Sequence, residues 1–436
     1  MAKATMYFPP DFLWGTATAA HQVEGNNMNN DWWAWEQEAG RILNGDKSGL
    51  ACDWWANAER DFDHAAALHT NAHRLSLEWS RIEPEPSVFD AAALNRYRDM
   101  LQGLHERGIE PMVTLHHFSN PLWLVEKGDF NSDLMVEYFQ RYTAKVVDKL
   151  GDLIPKWITI NEPMVYLFLR YLGQAFPAPK QRGWGAVRRA LHNMLRCHAA
   201  AYHTIKEHYP QALVGVAAHI RPLQAPHESS GLDHWWAQKL DWLFNDMWHE
   251  AMRDGRVRGL LRSGVIKGLA GAYDYIGINY YSRALVRFPR IQPEPYPPDA
   301  QLSDMAFLEN YPEGIFRAIK RHVRYHKPIY ITENGLPDQE DKLRATYLIS
   351  HLREIWRAIS FNFPVMGYYH WSLVDNFEWE RGWSQRFGLI SLNLETQERH
   401  WRPSAHLYAQ ICQENALSTD MTEAYAPDLL PVLFPG

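Results

Sequence analysis

Cysteine is scarce in this chain of 436 residues. Cys52, Cys197 and Cys412 are the only three, they lie far apart, and no C-x-x-C pair occurs. A disulfide framework and a cysteine zinc site are therefore not expected. Positive charge is not in excess either. Lys and Arg number 44 against 51 Asp and Glu, a formal charge of −7, which argues against a general nucleic-acid binder. No apolar stretch is long enough to cross a bilayer. The opening M-A-K-A-T-M-Y-F-P-P-D-F lacks the apolar run of a signal peptide. The expectation is a soluble cytoplasmic protein without a nucleic-acid or membrane partner. No strict repeat and no interdomain linker are visible. Histidine is plentiful, at 21, yet W-H-E-A-M-R around His249 lacks the second histidine of an H-E-x-x-H site, so no metal is expected.

The remaining composition is that of a globular protein, 46% hydrophobic and 22% charged. Its 19 tryptophans mostly suit a large core. A flat apolar face with one N–H donor also suits a sugar, which is apolar on a face and polar at its edge.

The stretch W-I-T-I-N-E-P, Trp157 to Pro163, sets the pattern of the chain. Three β-branched residues suit a strand, whereas Asn161 and Glu162 do not and Pro163 cannot donate to a sheet. The strand should stop there with two polar side chains at its tip. Eight such segments occur, beginning near Phe12, His73, Pro111, Lys156, Ala212, Asp274, Pro328 and Val365. Their apolar runs are short and continuous, as in strands buried on both faces. Helical periodicity separates them. From Ala91 to Gly108, Leu94, Tyr97, Leu101 and Leu104 recur, with Gly108 as the stop. From Ser132 to Gly151, Val136, Phe139, Tyr142, Val146 and Leu150 recur, with Ser132 or Asp133 as cap and Gly151 as stop. Leu343 to Ala358 is a third helix. Eight alternations of strand and helix predict one α/β domain over residues 1–436, a closed (β/α)₈ TIM barrel with elaborated βα loops. The proline-rich F-P-R-I-Q-P-E-P-Y-P-P-D from Phe288 reads as such a loop after the sixth strand. The tail after Ser418 reads as terminal packing.

In such a barrel the active site lies at the C-terminal ends of the strands. Gln22, Arg74, His117, Asn161, Glu162, Asn279, Tyr281, Glu333 and Trp371 are expected there. Glu333 ends P-I-Y-I-T-E-N-G as Glu162 ends its own strand. N-G is also a hairpin signal, but the chain beyond Gly335 is polar and then helical. Two glutamates from distant strands suit acid/base or nucleophilic work, as in glycoside hydrolysis. A separation of roughly 5–5.5 Å gives retention, and roughly 6.5–9.5 Å gives inversion.

Taken together, F-L-W-G-T-A-T-A-A-H-Q-V-E-G, N-E-P at Asn161, H-N-M-L-R-C-H-A at His192, T-E-N-G at Thr332, W-S-L-V-D-N-F-E-W from Trp371 and R-F-G-L at Arg386 resemble glycoside hydrolase family 1, the retaining β-glucosidases and β-galactosidases. The resemblance runs from about Phe8 to Pro403. It implies an exo-acting β-glycosidase that releases terminal glucose, and with it galactose or fucose, from a small β-glycoside or short oligosaccharide. No metal or organic cofactor is implied. Glu333 resembles the nucleophile, held ionised by Arg74 and Tyr281. Glu162 resembles the general acid, which serves as base once esterification removes the charge of Glu333. Asn161 is placed for the sugar 2-hydroxyl. Gln22, His117, Glu378 and Trp379, with Asn279 nearby, match positions that grip the terminal sugar, and Trp371 matches the platform beneath it. A carboxylate at Glu378 accepts hydroxyls and repels a phosphate, so a neutral terminal sugar is expected. Glutamate at position 162 separates the chain from plant thioglucosidases, which carry glutamine there.

The chain also departs from the family pattern. T-L-H-H-F-S-N-P stands for the common T-L-Y-H-W-D-L-P, and Met164 follows N-E-P where many members carry an aromatic. N-N-D-W-W-A-W-E near Trp32 is closer to archaeal-type members. Two rival readings share these residues: a sugar-binding protein without turnover, and a glycosidase used mainly for transglycosylation. Family members are often dimers or tetramers, which leaves a homo-oligomer open.

Overall fold

A computed structural model describes residues 3–173 and 175–434. Eight parallel strands close into a barrel in chain order. They are β1 (Leu13–Ala17), β2 (Ala72–Ser76), β3 (Glu110–His116), β4 (Lys156–Asn161), β5 (Leu213–His219), β6 (Ile276–Asn279), β7 (Ile329–Asn334) and β8 (Val365–Trp371). Each coincides with a segment the sequence marks to within a residue at its start, save β6, which begins two residues in. Every residue of β2, β4 and β7 is buried, which explains why these strands read as continuous apolar runs: barrel side chains face one way and helices cover the other. Trp14, Trp157 and Trp248 are among the largest wholly buried side chains, so much of the tryptophan fills the core.

The helix Ala91–Glu106 starts at Asp90, whose carboxylate accepts from the Ala92 and Ala93 amides at 2.7 and 3.1 Å. It ends in a Schellman turn at Gly108, φ +69°, with the Ile109 amide donating to the Leu104 carbonyl at 3.0 Å. The next helix stops before Gly151, as expected, and corrects the expected cap. It runs Met135–Leu150 and its N-cap is Leu134 rather than Ser132 or Asp133; the Ser132 hydroxyl only accepts from the Leu134 amide at 3.4 Å. Gly151 follows this helix with an ordinary φ of −62°. It is glycine because a Cβ there would overlap the Tyr209 ring, so the residue serves close approach and not chain reversal. The third helix runs Arg344–Ser360.

The proline-rich segment lies in the long connection from β6 to the helix Glu313–His322, hence at the mouth formed by the C-terminal strand ends. The chain after Ser418 packs as a terminus: Thr5–Tyr7 pairs antiparallel with Ala416–Ser418, and the helix Thr419–Tyr425 comes next. Among the described residues no helix is long and apolar enough to cross a membrane.

Candidate active site

The N-E-P tripeptide has a local explanation. Glu162 leaves β4 in the left-handed region, φ +42° and ψ +58°, a conformation costly for a side chain with a Cβ and concentrated at functional sites. Its amide still donates to the Ala217 carbonyl at 2.7 Å, and its carbonyl accepts the first helical bond from the Tyr166 amide at 3.0 Å. Pro163 then occupies the first helical position, where its missing N–H costs nothing. Pairing with the neighbouring strand shifts register just before each glutamate, between Ile158 and Asn161 in β4 and between Ile331 and Glu333 in β7. Such irregularities re-aim side chains.

T-E-N-G is not a hairpin. Gly335 continues from β7 into a loop, and a Cβ on it would overlap the Trp371 carbonyl oxygen at the tip of β8. Backbone cannot yield as a side-chain end can. Gly335→Ala is therefore expected to cost about 3 kcal/mol and to displace Trp371, read as a lower denaturant midpoint with loss of turnover. A variant as stable as the parent would refute this.

The two glutamates belong to one buried hydrogen-bonded network. Arg74, fully buried, pairs through Nη1 with Glu333. Its Nη1 also donates to the Thr332 carbonyl at 3.1 Å, Nη2 to Asn161 Oδ1 at 2.6 Å, and Nε to Thr114 Oγ1 at 3.3 Å. Tyr281 donates its hydroxyl to the other Glu333 oxygen at 2.5 Å. Asn279, held by a 2.7 Å bond from the Thr332 hydroxyl, donates to Asn161 Oδ1 at 3.1 Å and to Glu162 Oε1 at 2.9 Å. His219 Nδ1 meets the same Glu162 oxygen at 3.2 Å, and its ring stacks on Tyr281 with centroids 5.7 Å apart.

The electrostatics depart from the expectation that Arg74 and Tyr281 simply hold Glu333 ionised. Burial, with the nearby charge of Glu162, pushes the Glu333 carboxyl up to about 7 against the lowering pull of Arg74 and Tyr281. Depth in the core and the guanidinium thus pull the Glu333 carboxyl in opposite directions, and burial wins.

Next to this pair lies a polar and aromatic pocket. Asn161 Oδ1 faces Arg74, so its Nδ2 donates to His117 Nε2 at 3.0 Å. Burial and the Arg74 charge hold the His117 pKa well below the usual histidine range. The neutral ring thus carries its proton on Nδ1, which is buried without a partner. Gln22 Nε2 reaches Asn376 Oδ1 and the Phe377 carbonyl at 2.9 Å and Glu378 Oε2 at 3.1 Å, and Gln22 Oε1 is also buried without a partner. Burial and the charge of Glu380 push Glu378 up to about 8, with the Gln22 bond opposing. His117 stacks between Trp371 and Trp379, at 6.1 and 5.9 Å.

All the residues singled out in the sequence converge here. Two sit slightly off the expected strand tips. Gln22 is on the short helix Ala20–Val23 after β1, and Arg74 is the middle residue of β2, long enough to reach the tips of β4 and β7. His219 is the residue sequence reasoning passed over. Its signal was available: it ends β5 as Glu162 and Glu333 end theirs. Met164 is buried beside the site.

Comparison with known proteins agrees with this architecture. The chain is 30% identical to a beta-galactosidase of Saccharolobus solfataricus, with 95% of this chain and 96% of that protein aligned. It is likewise 30% identical to beta-glucosidase A of Thermotoga maritima, over 94% of this chain and 98% of that one. Among solved structures it superposes on a beta-glycosidase from Pyrococcus horikoshii with a TM-score of 0.90 at 35% identity, covering 97% and 98% of the two chains. The Thermotoga maritima beta-glucosidase in complex with glucoimidazole superposes with a TM-score of 0.89 at 30% identity, over 94% of this chain and all of the other. The model for glycosyl hydrolase family 1 matches residues 4–417, and the chain belongs to that family.

Proposed function

We propose that the protein is a retaining exo-β-glycosidase that removes terminal β-D-glucosyl residues, and galactosyl or fucosyl residues with them, through a covalent glycosyl-enzyme. The observation that carries this reading is the asymmetry of the glutamate pair. Glu333 faces a buried guanidinium and a phenol; among the described residues the Glu162 carboxyl meets Asn279 and His219. The Glu333 carboxylate attacks the anomeric carbon as the bond to the leaving oxygen breaks, and that oxygen takes the proton of Glu162. In the second step the Glu162 carboxylate takes a proton from water, the water oxygen bonds to the anomeric carbon, and the ester to Glu333 breaks. Tyr281 and Arg74 receive the carboxylate as it is released. Asn161 Nδ2 is suited to bond the 2-hydroxyl, a contact that strengthens in the transition state.

The unpartnered His117 Nδ1–H and Gln22 Oε1 supply one donor and one acceptor for hydroxyls of the terminal sugar, Glu378 accepts or donates beside them, and Trp371 and Trp379 offer apolar faces. Where the Glu378 carboxyl is ionised it repels a phosphorylated sugar. This chemistry asks for no metal or organic cofactor. The same reading takes residues 1–436 as one catalytic domain acting in the cytoplasm, where the free buried Cys52, Cys197 and Cys412 stay reduced, and leaves a homo-oligomer open. The direct test is release of 4-nitrophenol from the β-D-glucoside and β-D-galactoside, with the 6-phospho-β-glucoside left intact. A folded protein that binds glucose but cleaves neither aryl glycoside would favour a sugar-binding role instead.

The proton balance adds a pH expectation. The first step needs Glu333 as the carboxylate, and burial raises that carboxyl to about 7. Below this pH, kcat/KM is expected to fall about tenfold per unit. A flat profile from pH 5 to 8 would contradict it.

A further inference from the structure

The formal charge of −7 hides an uneven distribution. Between Lys180 and Arg196 the sequence holds five lysines and arginines and no carboxylate; between Arg253 and Lys267 it holds five more and only Asp254. The two segments carry +9, which leaves −16 on the rest of the chain. They also meet in space. The first leads into the helix Trp184–His208, and the second is the end of the helix Met247–Asp254 with the loop that follows it. Arg188 Nη2 donates to the Arg262 carbonyl at 3.1 Å, and His192 Nε2 donates to the Leu261 carbonyl at 2.9 Å. The loop is thereby strapped along the helix, and the two runs of cations become one face on the outer flank of the barrel. All ten cations are exposed. Arg253 and Arg258 share Asp254 at 2.7 and 2.9 Å, and the other eight form no ion pair among the described residues. An ordinary surface intersperses the two signs; this one concentrates a positive field.

The loop adds a second feature. Val257, Leu261 and Ile266 are buried and anchor it, whereas Leu260 and Val265 are 99% and 80% exposed, the two most exposed large apolar side chains among the described residues. Gly259, φ +70°, turns the chain just before Leu260. Leu260 stands between Arg258 and Arg262, and Val265 precedes Lys267 by two residues. Apolar tips set among cations fit an anionic lipid surface: the cations meet the headgroups, and the tips enter the boundary beneath them. A nucleic acid would use the cations but offers nothing to Leu260 and Val265. A second copy of the same face would be repelled. The screening length at physiological ionic strength is about 8 Å, so negative charge elsewhere on the molecule is little felt at the contact. Neither total charge nor the lack of a long apolar run reports on such a face.

We infer that this face docks the protein on membranes containing anionic lipid, with residues 259–265 as the inserting tip. The inference does not depend on the glycosidase reading, because binding is measured without turnover. Co-sedimentation is compared on vesicles of phosphatidylcholine alone and of phosphatidylcholine with about one third phosphatidylglycerol, at about 0.1 M salt. The parent should bind the anionic vesicles at least about tenfold more tightly than the neutral ones. Arg256→Glu/Arg258→Glu/Arg262→Glu should lower that affinity about a hundredfold, and Leu260→Ser/Val265→Ser about tenfold. These side chains are exposed, so thermal unfolding of both variants should match the parent. If the loop variants misfold, Arg189→Glu/Arg196→Glu on the helix tests the same charge and should cost at least about tenfold. A parent that does not bind anionic vesicles, or a folded charge variant that binds as well as the parent, overturns the inference. A Leu260→Ser/Val265→Ser variant that binds as well as the parent overturns the lipid assignment, and equal binding of double-stranded DNA by that variant and the parent would then mark the face as a general polyanion site.

Discussion

Glu333→Gly is expected to lower kcat on 4-nitrophenyl β-D-glucoside by about 10⁴-fold or more, the scale on which a covalent nucleophile contributes. The fold should survive. Removing the carboxylate leaves Arg74 with the Thr332 carbonyl, Asn161 and Thr114 as partners, so the guanidinium is not stranded in the core. The glycine leaves a small cavity directly facing the anomeric carbon, beside a cation and the Tyr281 hydroxyl. Azide fits such a space and carries the charge the site has lost. It should attack from the face Glu333 used, restore release of nitrophenol, and yield the α-glycosyl azide. Substantial activity without azide would mean that Glu333 is not the nucleophile. Azide rescue that yields the β-product would mean that the two glutamates have exchanged roles.

The barrel was legible for a physical reason. A strand buried on both faces cannot alternate, so each appears as a short apolar run that breaks where the chain emerges from the sheet. Polar residues at those breaks, Asn161 and Glu162 in β4 and Glu333 in β7, stand out because nothing in a buried strand would otherwise tolerate them. His219 at the end of β5 carries the same signal, but a lone histidine has ordinary structural uses, so its bond to Glu162 became visible only in three dimensions. Arg74 illustrates another limit. It lies in the middle of its strand, and only side-chain length tells that its guanidinium reaches two other strand tips. Glycines are ambiguous in the same way: Gly108 reverses the chain, whereas Gly151 and Gly335 make room for a distant ring and a distant carbonyl. Sequence shows the missing side chain but not what fills its place. Nor does it show the proton balance. Burial of Glu333 opposes the charge of Arg74, and which effect wins depends on the depth of the site.

Glu162→Gln should separate substrates by their leaving groups. The amide is isosteric, and its oxygen can still accept from Asn279, so the network around Asn161 and Arg74 stays intact. What disappears is a proton donor in the first step and a base in the second. Cellobiose, whose leaving alkoxide is strongly basic, is expected to lose about 10³-fold or more in kcat/KM, within the usual contribution of general acid catalysis. The 2,4-dinitrophenyl glucoside departs without help, so its first step should slow by less than about tenfold. The glycosyl-enzyme on Glu333 would then accumulate, because water attacks slowly without a base, and turnover should show a burst of nitrophenolate before a slow phase. Azide needs no base. It should accelerate the slow phase and trap the β-glycosyl azide, the opposite anomer to that from Glu333→Gly. Equal losses on both substrates would place Glu162 outside proton transfer. The two azide products, one of each anomer, assign the two carboxylates independently of any measured distance between them.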